Sequence, residues 1–129
     1  MRIHHIGYLV KKIDKAIIEF ENIGYALTKD IIFDEYRKVN ICFLEKDDYV
    51  IELVSPATSD SLVSALIKKY KNSPYHICYS TDNFNKDLEH LTLNGYTQID
   101  EPCAAPAIDG KNVVFLINPT IGIIELLEE

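Results

Sequence analysis

Tyr75-His76-Ile77-Cys78-Tyr79 reads as a second copy of His4-His5-Ile6-Gly7-Tyr8, 71 positions further along the chain. Residues 4–25 align with 75–96 without a gap. Identities fall at His5/His76, Ile6/Ile77, Tyr8/Tyr79, Lys15/Lys86, Gly24/Gly95 and Tyr25/Tyr96. Two later stretches also match. Ile41-Cys42-Phe43-Leu44 through Ile51-Glu52-Leu53 corresponds to Val113-Val114-Phe115-Leu116 through Ile124-Glu125-Leu126, with one extra residue in the second loop. Identities that fall on the same expected elements in the same order indicate a duplication, so one supersecondary unit is used twice.

Each unit reads as strand, helix, then two or three strands. In residues 2–10, Ile6, Tyr8 and Val10 alternate with His5, Gly7 and Leu9, so the two sets lie on opposite faces of a strand. Ile13, Ile17 and Phe20 have the spacing of a buried helical stripe, and Gly24 suits the position just past the helix end. Phe84, Leu88, Leu91 and Gly95 repeat this pattern. Strands are expected at about 25–33, 37–45 and 48–55, and again at 96–100, 111–117 and 121–128. Ser55–Asp60 reads as a turn-forming linker. A short helix follows it, capped by Ser59 or Asp60, with Leu62, Ala65 and Leu66 facing inward. Residues 101–110, with two prolines and a glycine, read as a loop able to cover a cleft. The expected organisation is one 129-residue domain: a first module at about 1–56, a linker helix at 57–72 and a second module at 73–129.

Composition narrows the function. The net charge of −7 argues against non-specific nucleic-acid binding. No apolar run reaches membrane-spanning length. Met1–His5 carries no signal-peptide character. Cys42, Cys78 and Cys103 are odd in number and widely spaced, which argues against disulfides and a thiolate zinc site. Together these features predict a cytoplasmic protein without membrane or nucleic-acid partners.

His5, Glu52, His76 and Glu125 stand at equivalent places in the two copies. Strand alternation puts all four on the face that does not pack on the helices. If the units pair about a pseudo-two-fold axis, that face lines a shared cleft. Two imidazoles and two carboxylates suit a borderline divalent ion, with coordination positions left for substrate oxygens. Taken singly, a strand histidine is more often solvated or hydrogen-bonded than a ligand, and a lone glutamate is usually the outward half of an alternating strand. The duplication is what favours the metal reading. His4 points away from such a site and reads as a surface residue or a neighbour of the ligands. Cys78 reads as a small filler. Arg37, Lys38 and Lys111 are candidate anion contacts, and exposed basic residues are usually only solvated.

Four stretches carry a family resemblance: Ile3-His4-His5-Ile6-Gly7; Val50-Ile51-Glu52-Leu53-Val54-Ser55-Pro56; Pro74-Tyr75-His76-Ile77; and Gly110–Leu116 leading to Gly122–Leu126. The chain resembles the vicinal oxygen chelate superfamily, which includes glyoxalase I, methylmalonyl-CoA epimerase, extradiol dioxygenases and fosfomycin or bleomycin resistance proteins. The resemblance implies an α+β fold, with two paired βαβββ modules forming a U-shaped mixed sheet around a metal-binding cleft. It implies His5, Glu52, His76 and Glu125 as ligands to a divalent metal, with Ni, Co or Zn expected. It also implies Glu125 as the catalytic base, with Glu52 as its pseudo-symmetric counterpart. The activity implied is that of a lyase or isomerase, which removes a proton next to a carbonyl while the metal stabilises the enediolate or enolate. The small-molecule substrate would be a glutathione hemithioacetal or an acyl-CoA thioester, and the expected assembly is a homodimer. Two other readings belong to the same superfamily: a resistance protein that binds a small molecule without chemistry, and a metal-dependent thiol transferase.

Overall fold

The computed structural model describes residues 1–129, and their nine strands and three helices form an α+β arrangement with an open mixed sheet. The strands are β1 (Arg2–Leu9), β2 (Ala26–Asp34), β3 (Val39–Lys46), β4 (Tyr49–Pro56), β5 (Ser73–Thr81), β6 (Thr97–Gln98), β7 (Cys103–Ala105), β8 (Lys111–Asn118) and β9 (Gly122–Glu128). The helices are α1 (Ile13–Asn22), α2 (Leu62–Tyr70) and α3 (Phe84–Leu93). The chain divides into two compact units. One joins residues 1–5 to 76–129, and the other is 6–75, so the boundary passes through β1.

In the 6–75 unit the strand order is β2-β3-β4-β1. β1 and β4 are parallel, and the other neighbours are antiparallel. The β3–β4 hairpin turns on Asp47 and Asp48, both at positive φ, as a two-residue turn with the twist of its strands requires. The helix-facing side of this sheet supplies Val10, Cys42, Leu44, Ile51 and Leu53. They pack with Ile13 of α1 and with the partly buried Tyr8, Ile17, Phe20 and Tyr25. Tyr8 and Tyr25 each meet Phe20 edge to face, with centroids 5.2 Å apart. Burying a Leu or Ile in such a cluster contributes about 1.5–3 kcal/mol. Cys42 belongs to this core, and burial pushes its thiol up to about 12, so it is an inert filler.

In the other unit β5 pairs in parallel with β9, β9 with β8 and β8 with β6, giving the order β5-β9-β8-β6. This is the topology of β1-β4-β3-β2, as the repeat requires. Its core is also equivalent: Phe84, Leu91, Val114, Leu116, Ile124 and Leu126, with Tyr79, Leu88 and Tyr96 against it. No disulfide joins the three cysteines.

Two local expectations are corrected. Residues 101–110 are not simply a loop. Cys103–Ala105 form β7, paired with Val113–Lys111 of β8, and Pro106–Ile108 form a 3-10 turn. The prolines flank this strand and leave its pairing intact. The linker helix starts later than its composition suggests. Ser61 is its N-cap, Leu62 is 66% exposed, and Val63 and Ser64 face inward. Ser61 Oγ donates to the Arg37 carbonyl and Ser64 Oγ to the Thr58 carbonyl, so side-chain hydrogen bonds to neighbouring turns set the helix phase.

Gly24 and Gly95 end α1 and α3 at φ +101° and +92°. An L side chain is strained there, although at Gly95 nothing lies within 4 Å of an added Cβ. Gly95→Ala is expected to destabilise by about 1–2 kcal/mol through backbone strain alone. Urea unfolding should show a lower midpoint with an unchanged slope.

Candidate metal centre

β1, β5 and β9 bring three of the four expected residues together within the unit that joins 1–5 to 76–129. Glu125 of β9 lies opposite Cys78 of β5 on one side and Phe115 of β8 on the other. Ile124 and Leu126, its neighbours, turn into the helix-facing core, so alternation sends Glu125 to the opposite face. His76 lies two residues before Cys78 on β5 and is braced by Phe115, whose ring meets it edge to face at 5.1 Å. His5 enters from β1.

The three side chains converge through single atoms. His5 Nε2 and His76 Nε2 are 3.2 Å apart. Glu125 Oε2 is 3.5 Å from the first and 3.0 Å from the second. Both imidazoles are fully buried, and the carboxylate side chain is 3% exposed. Despite these short distances, Glu125 Oε2 makes no hydrogen bond of good geometry. Burial pushes the Glu125 carboxyl up, but the pull of His5 and His76 outweighs it and holds the group below the usual carboxylate range.

This arrangement fits a divalent cation. Donors bonded at about 2.0–2.2 Å to one ion, at angles of about 90–110°, sit roughly 3–3.5 Å from each other. The three separations fall within that range. A buried carboxylate oxygen that lacks a well-formed hydrogen bond is a group whose natural partner is a cation.

Glu52 belongs to the other unit and occupies the matching place there. It lies opposite Gly7 of β1 and Phe43 of β3, as Glu125 lies opposite Cys78 and Phe115. It is 4% exposed, between Ile51 and Leu53 of the core.

Other candidates have different roles. Arg37 Nη1 is 2.7 Å from Asp34 Oδ2, and Asp34 is 1% exposed. Lys38 Nζ is 2.5 Å from Asp60 Oδ2, and that pairing, with a hydrogen bond from Thr58, draws the Asp60 carboxyl down to about 2. Both bases thus hold turns of the 6–75 unit. A hollow of about 490 Å³ in the same unit is lined by Tyr8, Phe20 and Lys15 among others, and none of the four conserved-in-repeat His and Glu residues borders it. The contact that sequence reasoning missed is His4, whose Nδ1 is 2.8 Å from His5 Nδ1. Alternation separates adjacent Cβ atoms but does not keep two imidazole rings apart.

The profile of the Glyoxalase/Bleomycin resistance protein/Dioxygenase superfamily matches residues 4–115. The chain belongs to this superfamily. It is 28% identical over 116 residues to the uncharacterized protein YqjC of Bacillus subtilis, covering 89% of this chain and 81% of that one. It is 27% identical over 116 residues to mitochondrial methylmalonyl-CoA epimerase of Homo sapiens, covering 89% of this chain and 65% of the human protein. The chain thus spans just under two thirds of that human relative. The crystal structure of methylmalonyl-CoA epimerase from Mycobacterium tuberculosis superposes with a TM-score of 0.84 at 18% identity, covering 98% of this chain and 87% of that one. At that identity the likeness shows the fold. No helix is long and apolar enough to cross a membrane.

The Glu125 environment has a consequence for acid stability of the metal-free protein. A carboxyl whose folded pKa is depressed stabilises the fold above its unfolded pKa and loses that contribution as pH falls. Wild-type protein treated with chelator is therefore expected to exceed Glu125→Gln in stability near pH 6. The gap should narrow below the ordinary value of 4.5. Thermal unfolding at a series of pH values measures it, and a gap that widened on acidification would contradict this account.

Proposed function

We propose that the protein is a metal-dependent isomerase of the epimerase type, acting on a carbon acid next to a thioester carbonyl. The observation that carries this reading is the convergence of His5 Nε2, His76 Nε2 and Glu125 Oε2 at 3.0–3.5 Å in a buried site. Glu52 is assigned as the fourth ligand from its matching register in the repeated module. Similarity to methylmalonyl-CoA epimerases supports an acyl-CoA substrate over a glutathione hemithioacetal.

A divalent ion of the Ni, Co or Zn kind would supply Lewis-acid stabilisation of charge developing on a carbonyl oxygen. The chain's own residues do the rest. His5 and His76 present their Nε2 atoms and fix the position of the site. Phe115 and the apolar strands around the site exclude water, which strengthens the electrostatic interactions within it. Glu125 is assigned the proton transfer at the α-carbon, with Glu52 as its counterpart from the other module. To accept a proton, Glu125 would have to leave its place among the ligands. Returning the proton to the opposite face of the same carbon completes an epimerisation.

The test begins with chelator-treated protein titrated with Co²⁺, Ni²⁺ and Zn²⁺, for which one ion per chain is expected. Loaded protein is then incubated in D₂O with 2-methylmalonyl-CoA and, separately, with the glutathione hemithioacetal of methylglyoxal. The expected outcome is exchange of the α-proton of the thioester. Glu125→Gln should slow that exchange by about 10²–10⁴-fold, with metal content measured in the same samples. Failure to retain any of the three ions would sink the metal reading. Retention of metal without exchange on either substrate would favour a binding protein of the resistance type.

A further inference from the structure

His4 bears directly on whether His5 can bind a metal. The two Nδ1 atoms are 2.8 Å apart, and the rings meet edge to face with centroids 5.1 Å apart. Both residues lie in the same compact unit. A neutral imidazole carries one proton, on either Nδ1 or Nε2, and the other nitrogen is an acceptor. A hydrogen bond between two Nδ1 atoms therefore places one proton on the line joining them, and its owner determines the state of His5. If His4 donates, the proton of His5 sits on Nε2, the atom that faces His76 Nε2 and Glu125 Oε2. That nitrogen then has no lone pair for a metal. If His5 donates, its Nε2 presents a lone pair to the same point, and the proton of His4 sits on its own Nε2.

We propose that His4 is a positioning residue: its Nδ1 accepts the Nδ1 proton of His5 and so holds His5 in the tautomer whose Nε2 can ligate a divalent cation. This rests on the metal reading above and adds to it how one ligand is prepared. Cys78 Sγ lies within 4.8 Å of one ring nitrogen of each of His4 and His5, but a thiol is a weak acceptor and a poor substitute for an imidazole lone pair. The second copy of the repeat carries Tyr75 at the place of His4. A phenol has no acceptor at the δ position, so this device belongs to the first half of the chain alone. No proton is gained or lost in the assignment; each ring keeps one.

Two substitutions separate acceptor chemistry from bulk. His4→Phe keeps a ring and removes the nitrogen. His4→Asn places Oδ1 where Nδ1 stood and so retains an acceptor. Chelator-treated protein is titrated with Co²⁺ alone, and affinity is read by calorimetry. His4→Phe should bind about 10–100-fold more weakly, and His4→Asn should remain close to wild type. In zinc-loaded wild type, long-range ¹H–¹⁵N correlation spectra should place the His5 proton on Nδ1. This measurement needs no variant and stands even where His4→Phe fails to fold. Undiminished binding by His4→Phe, equal weakening by both variants, or a His5 proton on Nε2 in the loaded protein would each overturn the assignment. A wild type that binds no ion would overturn the metal reading and this inference together. Undiminished binding by His4→Phe would overturn this inference and leave the metal reading intact.

Discussion

The buried carboxylate of Glu125 is the constraint around which this protein's candidate site is organised. An ionised group taken out of water must be paired or given a cation, or else it protonates. Burial pushes the Glu125 carboxyl up, and the pull of His5 and His76 on one of its oxygens holds it below the usual carboxylate range. The strands exist in a register that makes this possible. β9 runs parallel to β5, so Glu125 falls opposite Cys78, two residues past His76, and β8 places Phe115 against the His76 ring. A slip of one residue would send Glu125 into the core now held by Ile124 and Leu126, and would expose those two on the polar face.

The duplication places a histidine and a glutamate at matching positions of the two copies. Each module needs only one histidine near the start of its first strand and one glutamate in its last. The parallel pairing of those two strands sets the second against the first, and it does so identically for Gly7–Glu52 and Cys78–Glu125. The apolar neighbours of each glutamate form the core beneath the helix of the same module. One alternating pattern thus determines core and site together. The copies differ at the residue before each histidine, with His4 in the first and Tyr75 in the second.

The parts of the fold legible in the sequence were those carried by periodicity. Ile13, Ile17 and Phe20 gave α1, Phe84 and Leu91 gave α3, and runs rich in Ile, Val, Phe and Tyr gave β3, β4, β8 and β9 close to their observed limits. What was misread depended on partners outside the local helix or strand pattern. Cys103–Ala105 is too short and too proline-flanked to read as a strand, and it becomes one only because β8 offers it an edge. The phase of α2 follows hydrogen bonds from Ser61 and Ser64 to the Arg37 and Thr58 carbonyls, which no helical pattern contains. Arg37 and Lys38, legible only as surface bases, are committed to Asp34 and Asp60.

For the site, the sequence by itself determined which residues are available and which face they take, because strand alternation is local and the repeat supplies each position twice. It could not determine distance. That His5, His76 and Glu125 meet at 3.0–3.5 Å follows from the pairing of β9 with β5 and the course of β1, which are long-range hydrogen-bonding choices. Nor could it foresee that His4 reaches its neighbour's ring. Side-chain torsions turn two adjacent imidazoles toward each other, and only packing in three dimensions selects those torsions.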